Sequence, residues 1–154
     1  MPRIAEQRRL QWSPEQMFDL VADVRRYPEF LPWVVATRIK TDSETEMVAD
    51  MLVGFNALRE KFTSRVRKVA PDQAHNARIE VEYLDGPMKS LSNTWAFRPG
   101  EDGTGCVIDF NVDFTFRNAL FEKLAGQYLD RAFRKMVAAF ETRAAKLYGT
   151  EQPA

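Results

Sequence analysis

Cysteine and histidine are almost missing from this chain. Its one cysteine, Cys106, excludes an intramolecular disulfide and a cysteine-rich zinc site. Its one histidine, His75, leaves no partner for a histidine-based metal centre or catalytic triad, and it follows Pro71 in a polar, turn-like stretch. Neither sign of charge is in excess: 22 Lys and Arg balance 22 Asp and Glu. That balance argues against DNA binding driven by bulk charge. No apolar run approaches the ~18 residues that span a bilayer. The opening Met-Pro-Arg-Ile-Ala-Glu lacks the basic-then-apolar order of a secretory signal. The expectation is a cytoplasmic protein whose contact with a membrane, if any, is peripheral.

Catalytic motifs are missing too. There is no nucleophile elbow and no set of paired metal ligands. The glycine-containing stretch Gly100-Glu101-Asp102-Gly103-Thr104-Gly105 lies between two strand patterns rather than opening a helix, so it reads as a hairpin turn and not as a phosphate cradle. Cys106 begins a strand and reads as a small buried hydrophobe.

What is present is a strong pattern near the end of the chain. Ile108, Phe110, Val112, Phe114 and Phe116 alternate with Asp109, Asn111, Asp113 and Thr115, the period-two signature of a sheet wet on one side. A helix from about Asn118 to Tyr148 follows. Its apolar stripe is read as Leu120, Phe121, Leu124, Tyr128, Ala132, Phe133, Met136, Val137, Phe140, Ala144 and Leu147. At 1.5 Å per residue it would be about 45 Å long, enough to lie across a whole curved sheet. Upstream, Arg3 to Trp12 reads as a strand. Ser13-Pro14-Glu15-Gln16 is a capping box with proline at the first helical position, opening a helix to about Val24. Pro28 and Pro32 break the next segment. Strand patterns follow from Val34, Met47, Leu58, Ala77 and Leu91, giving an antiparallel meander. Residues 1–150 read as one ligand-binding domain and 151–154 as a tail.

Alternation assigns inward rows. Phe55, Phe62, Trp95, Phe110 and Phe114 on the sheet face Phe133, Met136, Val137 and Phe140 on the helix. Such rows make either a plain core or the lining of a cavity suited to an apolar tail. Glu60, Ser64 and Asn93 fall on these rows as well. A buried polar group costs a few kcal/mol unless paired. Either these groups satisfy one another or backbone, or they face a cavity and a ligand. Tyr27, Phe30, Leu31 and Trp33, on the proline-stiffened segment, read as a lid over a cavity mouth or as packing on the sheet edge. The outer side of the last helix is rich in Arg and Lys, and one face of the third strand of the meander carries Arg59, Lys61, Arg65 and Arg67. These are solvated faces or surfaces for anionic lipid or RNA.

Three blocks carry a family resemblance. They are Ser13 to Val24 with Tyr27-Pro28-Glu29-Phe30-Leu31-Pro32-Trp33, Leu84-Asp85-Gly86-Pro87-Met88-Lys89-Ser90-Leu91 with Trp95 and Phe97, and Phe140-Glu141-Thr142-Arg143-Ala144 with Leu147-Tyr148-Gly149. Together they resemble the coenzyme-Q-binding START-domain subfamily of the polyketide cyclase/dehydrase and lipid-transport superfamily, which usually has Phe where this chain has Met88. The resemblance implies an α+β helix-grip (START-like) fold, a curved antiparallel sheet wrapped around a long C-terminal helix, with one or two short helices after the first strand. It implies non-enzymatic binding of ubiquinone or a related polyprenyl quinone in support of respiration, with no catalytic residue, metal or cofactor beyond that ligand. A carrier of this kind would touch the inner membrane peripherally. Close bacterial relatives are described as ribosome-associated toxins, so a ribosomal partner and inhibition of translation form the alternative. A polyketide aromatase or cyclase is a third class, for which Glu60 is the one candidate acid or base.

Overall fold

Ser13 starts the first helix as its sequence requires. In the computed structural model, which describes residues 3–149 apart from Asn56 and the side chain of Phe55, the Ser13 hydroxyl accepts from the Gln16 amide at 3.1 Å. The Gln16 side chain accepts from the Ser13 amide at 3.0 Å. This box, with Pro14 at the first helical position, separates strand β1 (Arg3–Leu10) from helix α1 (Pro14–Ala22). A 3-10 turn, Val24–Glu29, holds Pro28, and the chain then enters the meander. Its strands are β2 (Val34–Asp42), β3 (Glu46–Phe55), β4 (Leu58–Val69), β5 (Ala77–Asp85), β6 (Met88–Pro99) and β7 (Cys106–Phe116). All pair antiparallel in one seven-stranded sheet of order β1-β7-β6-β5-β4-β3-β2, so β1 adds beside the last strand of the meander.

The alternation read from β7 holds in space. Ile108, Phe110, Val112 and Phe114 are buried, while Asp109, Asn111 and Asp113 are only half-buried. Register sets Trp95 opposite Phe110 and Phe97 opposite Ile108. The β5–β6 turn rests on Gly86, whose φ of +147° suits only glycine and whose added Cβ would lie 2.9 Å from the Lys61 carbonyl oxygen. The Tyr83 hydroxyl completes this turn. It accepts from the Met88 amide at 2.8 Å and donates to the Met88 carbonyl at 3.1 Å.

The C-terminal helix differs from expectation in two ways. It is divided at Lys135 into α2 (Ala119–Arg134) and α3 (Met136–Tyr148). The Lys135 amide is shared between the carbonyls of Arg131 at 3.1 Å and Ala132 at 3.2 Å, a tightening of the ladder. The buried stripe explains the break. Ala125, Leu129 and Ala132 are buried before it, and Val137, Phe140 and Ala144 after it. Five residues separate Ala132 from Val137, which in an unbroken helix would point them about 140° apart. The irregularity at Lys135 lets both face inward.

The second correction concerns the face of α2. Leu120 and Leu124 are 67% and 53% exposed, and Leu147 is 51% exposed. α2 instead turns its small residues to the sheet: Ala125 is fully buried, and a Cβ on Gly126 would sit 3.7 Å from the Phe116 ring. Close approach to β7 selected small side chains over large apolar ones.

Candidate functional site

Sheet and C-terminal helices do not meet everywhere. Between the inner face of β3–β6 and the helices lies a cavity of about 130 Å³. Tyr27, Trp33, Phe62, Ser64, Asn93, Trp95, Phe133, Met136 and Phe140 stand on its wall. The wall also includes Met51 and Val53 from β3, Val66 from β4, Val81 from β5 and Leu91 from β6, all on inward rows that alternation identifies. Val21 and Val24 close the α1 side. Leu129 was missed because the helical stripe was phased on Leu124 instead.

Other expected lining residues stand elsewhere. Phe110 and Phe114 are 1% exposed but form solid core toward β1 and α2: Phe110 packs edge-on to Trp95 at 4.7 Å, and Phe114 lies 5.0 Å from Phe133. Val137 and Leu31 are likewise buried away from the wall. Glu60 is half-buried opposite Val53 near the β3–β4 connection and does not reach the cavity. Phe30 is half-buried against Phe140 and stands off the cavity wall, with the Arg143 guanidinium 5.1 Å above its ring. The Phe55 side chain lies outside the described residues.

The two polar groups on the wall differ. Asn93 is fully engaged in a structural role. Its amide nitrogen donates to the Asn111 carbonyl at 2.9 Å, and its side-chain oxygen accepts from the Trp95 indole at 3.1 Å. That fixes the Trp95 ring, which contacts Phe110 and Phe140 edge-on and stacks on Phe97. The Ser64 hydroxyl, by contrast, has no hydrogen-bond partner among the described residues. The Tyr27 hydroxyl donates to the Val21 carbonyl, and burial pushes its pKa well up, so it stays a neutral phenol.

The segment over the cavity is fastened to α3. Arg143, only 10% exposed, pairs with Glu29 at 2.6 Å. Phe30 and Tyr27 both meet the Phe140 ring edge-on, at 5.0 and 5.4 Å. Glu29 also accepts from Arg26 at 3.1 Å, and hydrogen bonds from Arg143 and Arg26 hold its carboxyl below the usual range. Tyr27 and Trp33 thus form part of the wall while Glu29 and Phe30 fasten it.

Chemistry elsewhere is modest. Cys106 is buried and its thiol is pushed up to about 12 by desolvation, which makes it inert. His75 is in an exposed turn and contacts Glu15 at 2.6 Å. The basic face of β4 is partly neutralised, since Arg65 pairs with Glu46 and Glu82, and Arg67 with Glu82. Among the described residues no group of His, Cys, Asp and Glu could hold a metal ion, and no helix is long and apolar enough to cross a membrane.

A curved antiparallel sheet gripping C-terminal helices around an apolar cavity is the architecture of a START-like, helix-grip domain. The chain belongs to the polyketide cyclase/dehydrase and lipid transport family, whose profile matches residues 10–141. It is 36% identical to the ribosome association toxin RatA of Rickettsia prowazekii, over 88% of this chain and 90% of that protein. It is 32% identical to the mitochondrial coenzyme Q-binding protein COQ10 homolog B of Xenopus laevis over 96% of this chain, which spans 60% of the frog protein's length. Among solved structures, an 18 kDa protein of Caulobacter crescentus superposes with a TM-score of 0.70 at 38% identity, covering 97% of this chain and 100% of that one.

Proposed function

We propose that this protein binds and shields ubiquinone or a related polyprenyl quinone, without chemical turnover. The observation that carries this reading is the apolar cavity of about 130 Å³ whose wall holds one unpartnered hydroxyl, Ser64. A cavity of about 150 Å³ engineered into another protein's core binds benzene, so this one has room for a single ring. In this reading the quinone ring lies among Trp95, Phe133 and Phe140, and one of its carbonyl oxygens accepts from Ser64. The isoprenoid tail exits past the Tyr27–Trp33 segment. Each Å² of apolar tail removed from water contributes roughly 25 cal/mol. Kinship with a coenzyme Q-binding protein supports the choice of quinone. Delivery of such a cargo between membrane and respiratory enzymes is work for a cytoplasmic carrier.

Turnover is left out because, among the described residues, no carboxylate, histidine or lysine lines the cavity. A cyclase-type mechanism needs an acid or base within reach of its substrate. The direct test is organic extraction of the purified protein followed by mass spectrometry, together with quenching of Trp95 and Trp33 fluorescence by a short-tailed quinone. Co-purified quinone and saturable quenching are expected. Absence of both overturns the reading.

One further observation favours a second reading. The Rickettsia relative named for ribosome association matches over nearly the full length of both chains. Under that reading the protein co-sediments with ribosomal subunits, and both salt and charge reversal at Arg65 and Arg67 weaken the association.

A further inference from the structure

Helix α2 has two faces of unlike chemistry. The inner face, Ala125, Leu129 and Ala132, is buried. The outer face carries the exposed Leu120 and Leu124, one turn apart and so side by side, with Lys123, Gln127 and Arg131 also exposed. Isolated surface leucines are ordinary, but an adjacent pair among cations is not. Arg117, Lys123, Arg131 and Lys135 form no ion pair with any described residue. Of the nearby acids, Asp130 is taken by Arg134 at 2.8 Å, which leaves Glu122. Beside this face runs an open groove of about 670 Å³, floored by Phe114 and Phe116 and edged by Arg131, Arg134 and Lys135 with Glu122 and Asp130.

We infer that the outer face of α2 docks on a bilayer surface bearing anionic lipid. Leu120 and Leu124 enter the interface, and the four unpaired cations meet lipid phosphates. Charge complementarity selects an anionic partner, and the leucine pair selects one with an apolar phase, which RNA does not offer. The inner face of the same helix lines the cavity through Leu129 and Ala132. Docking therefore sets the cavity wall one helix thickness, about 10 Å, from the lipid. The inference deepens the carrier reading while resting on a separate observation.

The test is flotation of the purified full chain with quinone-free vesicles of phosphatidylcholine alone or mixed with phosphatidylglycerol. Binding to the mixed vesicles is expected, at least about tenfold weaker to the neutral ones and weakened by salt. Leu120→Ser with Leu124→Ser lowers partition by about tenfold or more, and so does Lys123→Glu with Arg131→Glu, both at unchanged melting temperature because these side chains are exposed. No flotation with anionic vesicles at low salt overturns the inference, as does undiminished binding of the leucine variant. If vesicles are ignored but light scattering shows a dimer that the leucine variant dissolves, the face belongs to a second copy of this chain. If vesicles are ignored but ribosome pelleting is lost in the charge variant, it belongs to RNA. Either outcome overturns docking on lipid. The vesicles hold no quinone and the extraction experiment needs no vesicle, so failure of one reading leaves the other standing.

Discussion

Replacing Ser64 and Asn93 by alanine, one at a time, separates ligand contact from scaffold. Both lie on the cavity wall, yet of their side chains only that of Asn93 has partners among the described residues. Asn93→Ala strips the Trp95 indole and the Asn111 carbonyl of their bonds at once. Leaving a buried donor or acceptor unsatisfied costs about 1–3 kcal/mol each, so a loss of about 3 kcal/mol is expected, allowing for partial access of water. For a chain of 154 residues that lowers the melting temperature by roughly 6–12 °C. Ser64→Ala removes a hydroxyl that has nothing to bond, so stability should stay within about 0.5 kcal/mol or rise. Quinone affinity should respond in the reverse sense. Loss of a single hydrogen bond worth about 0.5–1.5 kcal/mol weakens binding to Ser64→Ala by about 2- to 13-fold. Urea melts and titration with a short-tailed quinone measure the two quantities. A Ser64→Ala variant destabilised by more than about 1 kcal/mol would refute the reasoning, because the hydroxyl would then have a structural partner. So would an Asn93→Ala variant that melts like the parent.

Three other perturbations follow from the same geometry. Ala132→Leu places extra methyl groups in the cavity, so quinone uptake should be lost while the urea midpoint holds or rises; uptake at parental affinity would show that the ligand sits elsewhere. Gly86→Ala forces a side chain into φ +147° against the Lys61 carbonyl, and a loss of about 2 kcal/mol in urea melts is expected; a neutral result would mean the turn relaxes. The pKa of Asp50 is lowered chiefly by its hydrogen bond from Thr63, and that of Asp42 by its bond from Lys68. Depressed folded-state values mean that the unfolded chain binds these protons first, so stability is full above about pH 4 and falls as pH drops toward the folded values. Urea midpoints across pH 2–6 check the sign, and Asp50→Asn should flatten the curve.

The strands were legible because alternation is a short-range property: each inward residue of β7 is set by its two neighbours and the pleat. Ser13 and Gln16 were legible for the same reason, since a capping box closes within one turn. The phase of α2 was not. Leu120 and Leu124 fit a helical stripe as well as Ala125 and Leu129 do, and what decides between them is the distance of the helix from Phe116, a tertiary quantity. The break at Lys135 was hidden too, because no proline or glycine marks it and only the buried set on either side reveals the slip. Asn93 was correctly placed on the inner face, but its acceptor on β7 depends on the register of two strands. Cavity size is a residue of packing between layers, and no local pattern encodes it.

If the cargo is a polyprenyl quinone, the dimensions of the cavity require it to open. About 130 Å³ is well below the roughly 300–1,000 Å³ of ordinary ligand sites, and a polyprenyl tail needs more. In that reading the movable wall is the Tyr27–Trp33 segment, which Glu29 and Phe30 fasten to Arg143. Arg143 is 10% exposed and its Nε has no partner, so Glu29 supplies most of what offsets its burial. Glu29→Gln removes that charge and leaves the guanidinium, among the described residues, with the Phe30 ring, which weakens the hold of α3 on the segment. If opening gates entry, the closed and liganded states lose the same contact. Association and dissociation rates should then rise by a similar factor while the dissociation constant changes little. Stopped-flow quenching of Trp33 and Trp95 by a short-tailed quinone reads both rates. Rates identical to the parent's would show that the ligand does not enter past the Glu29–Arg143 contact.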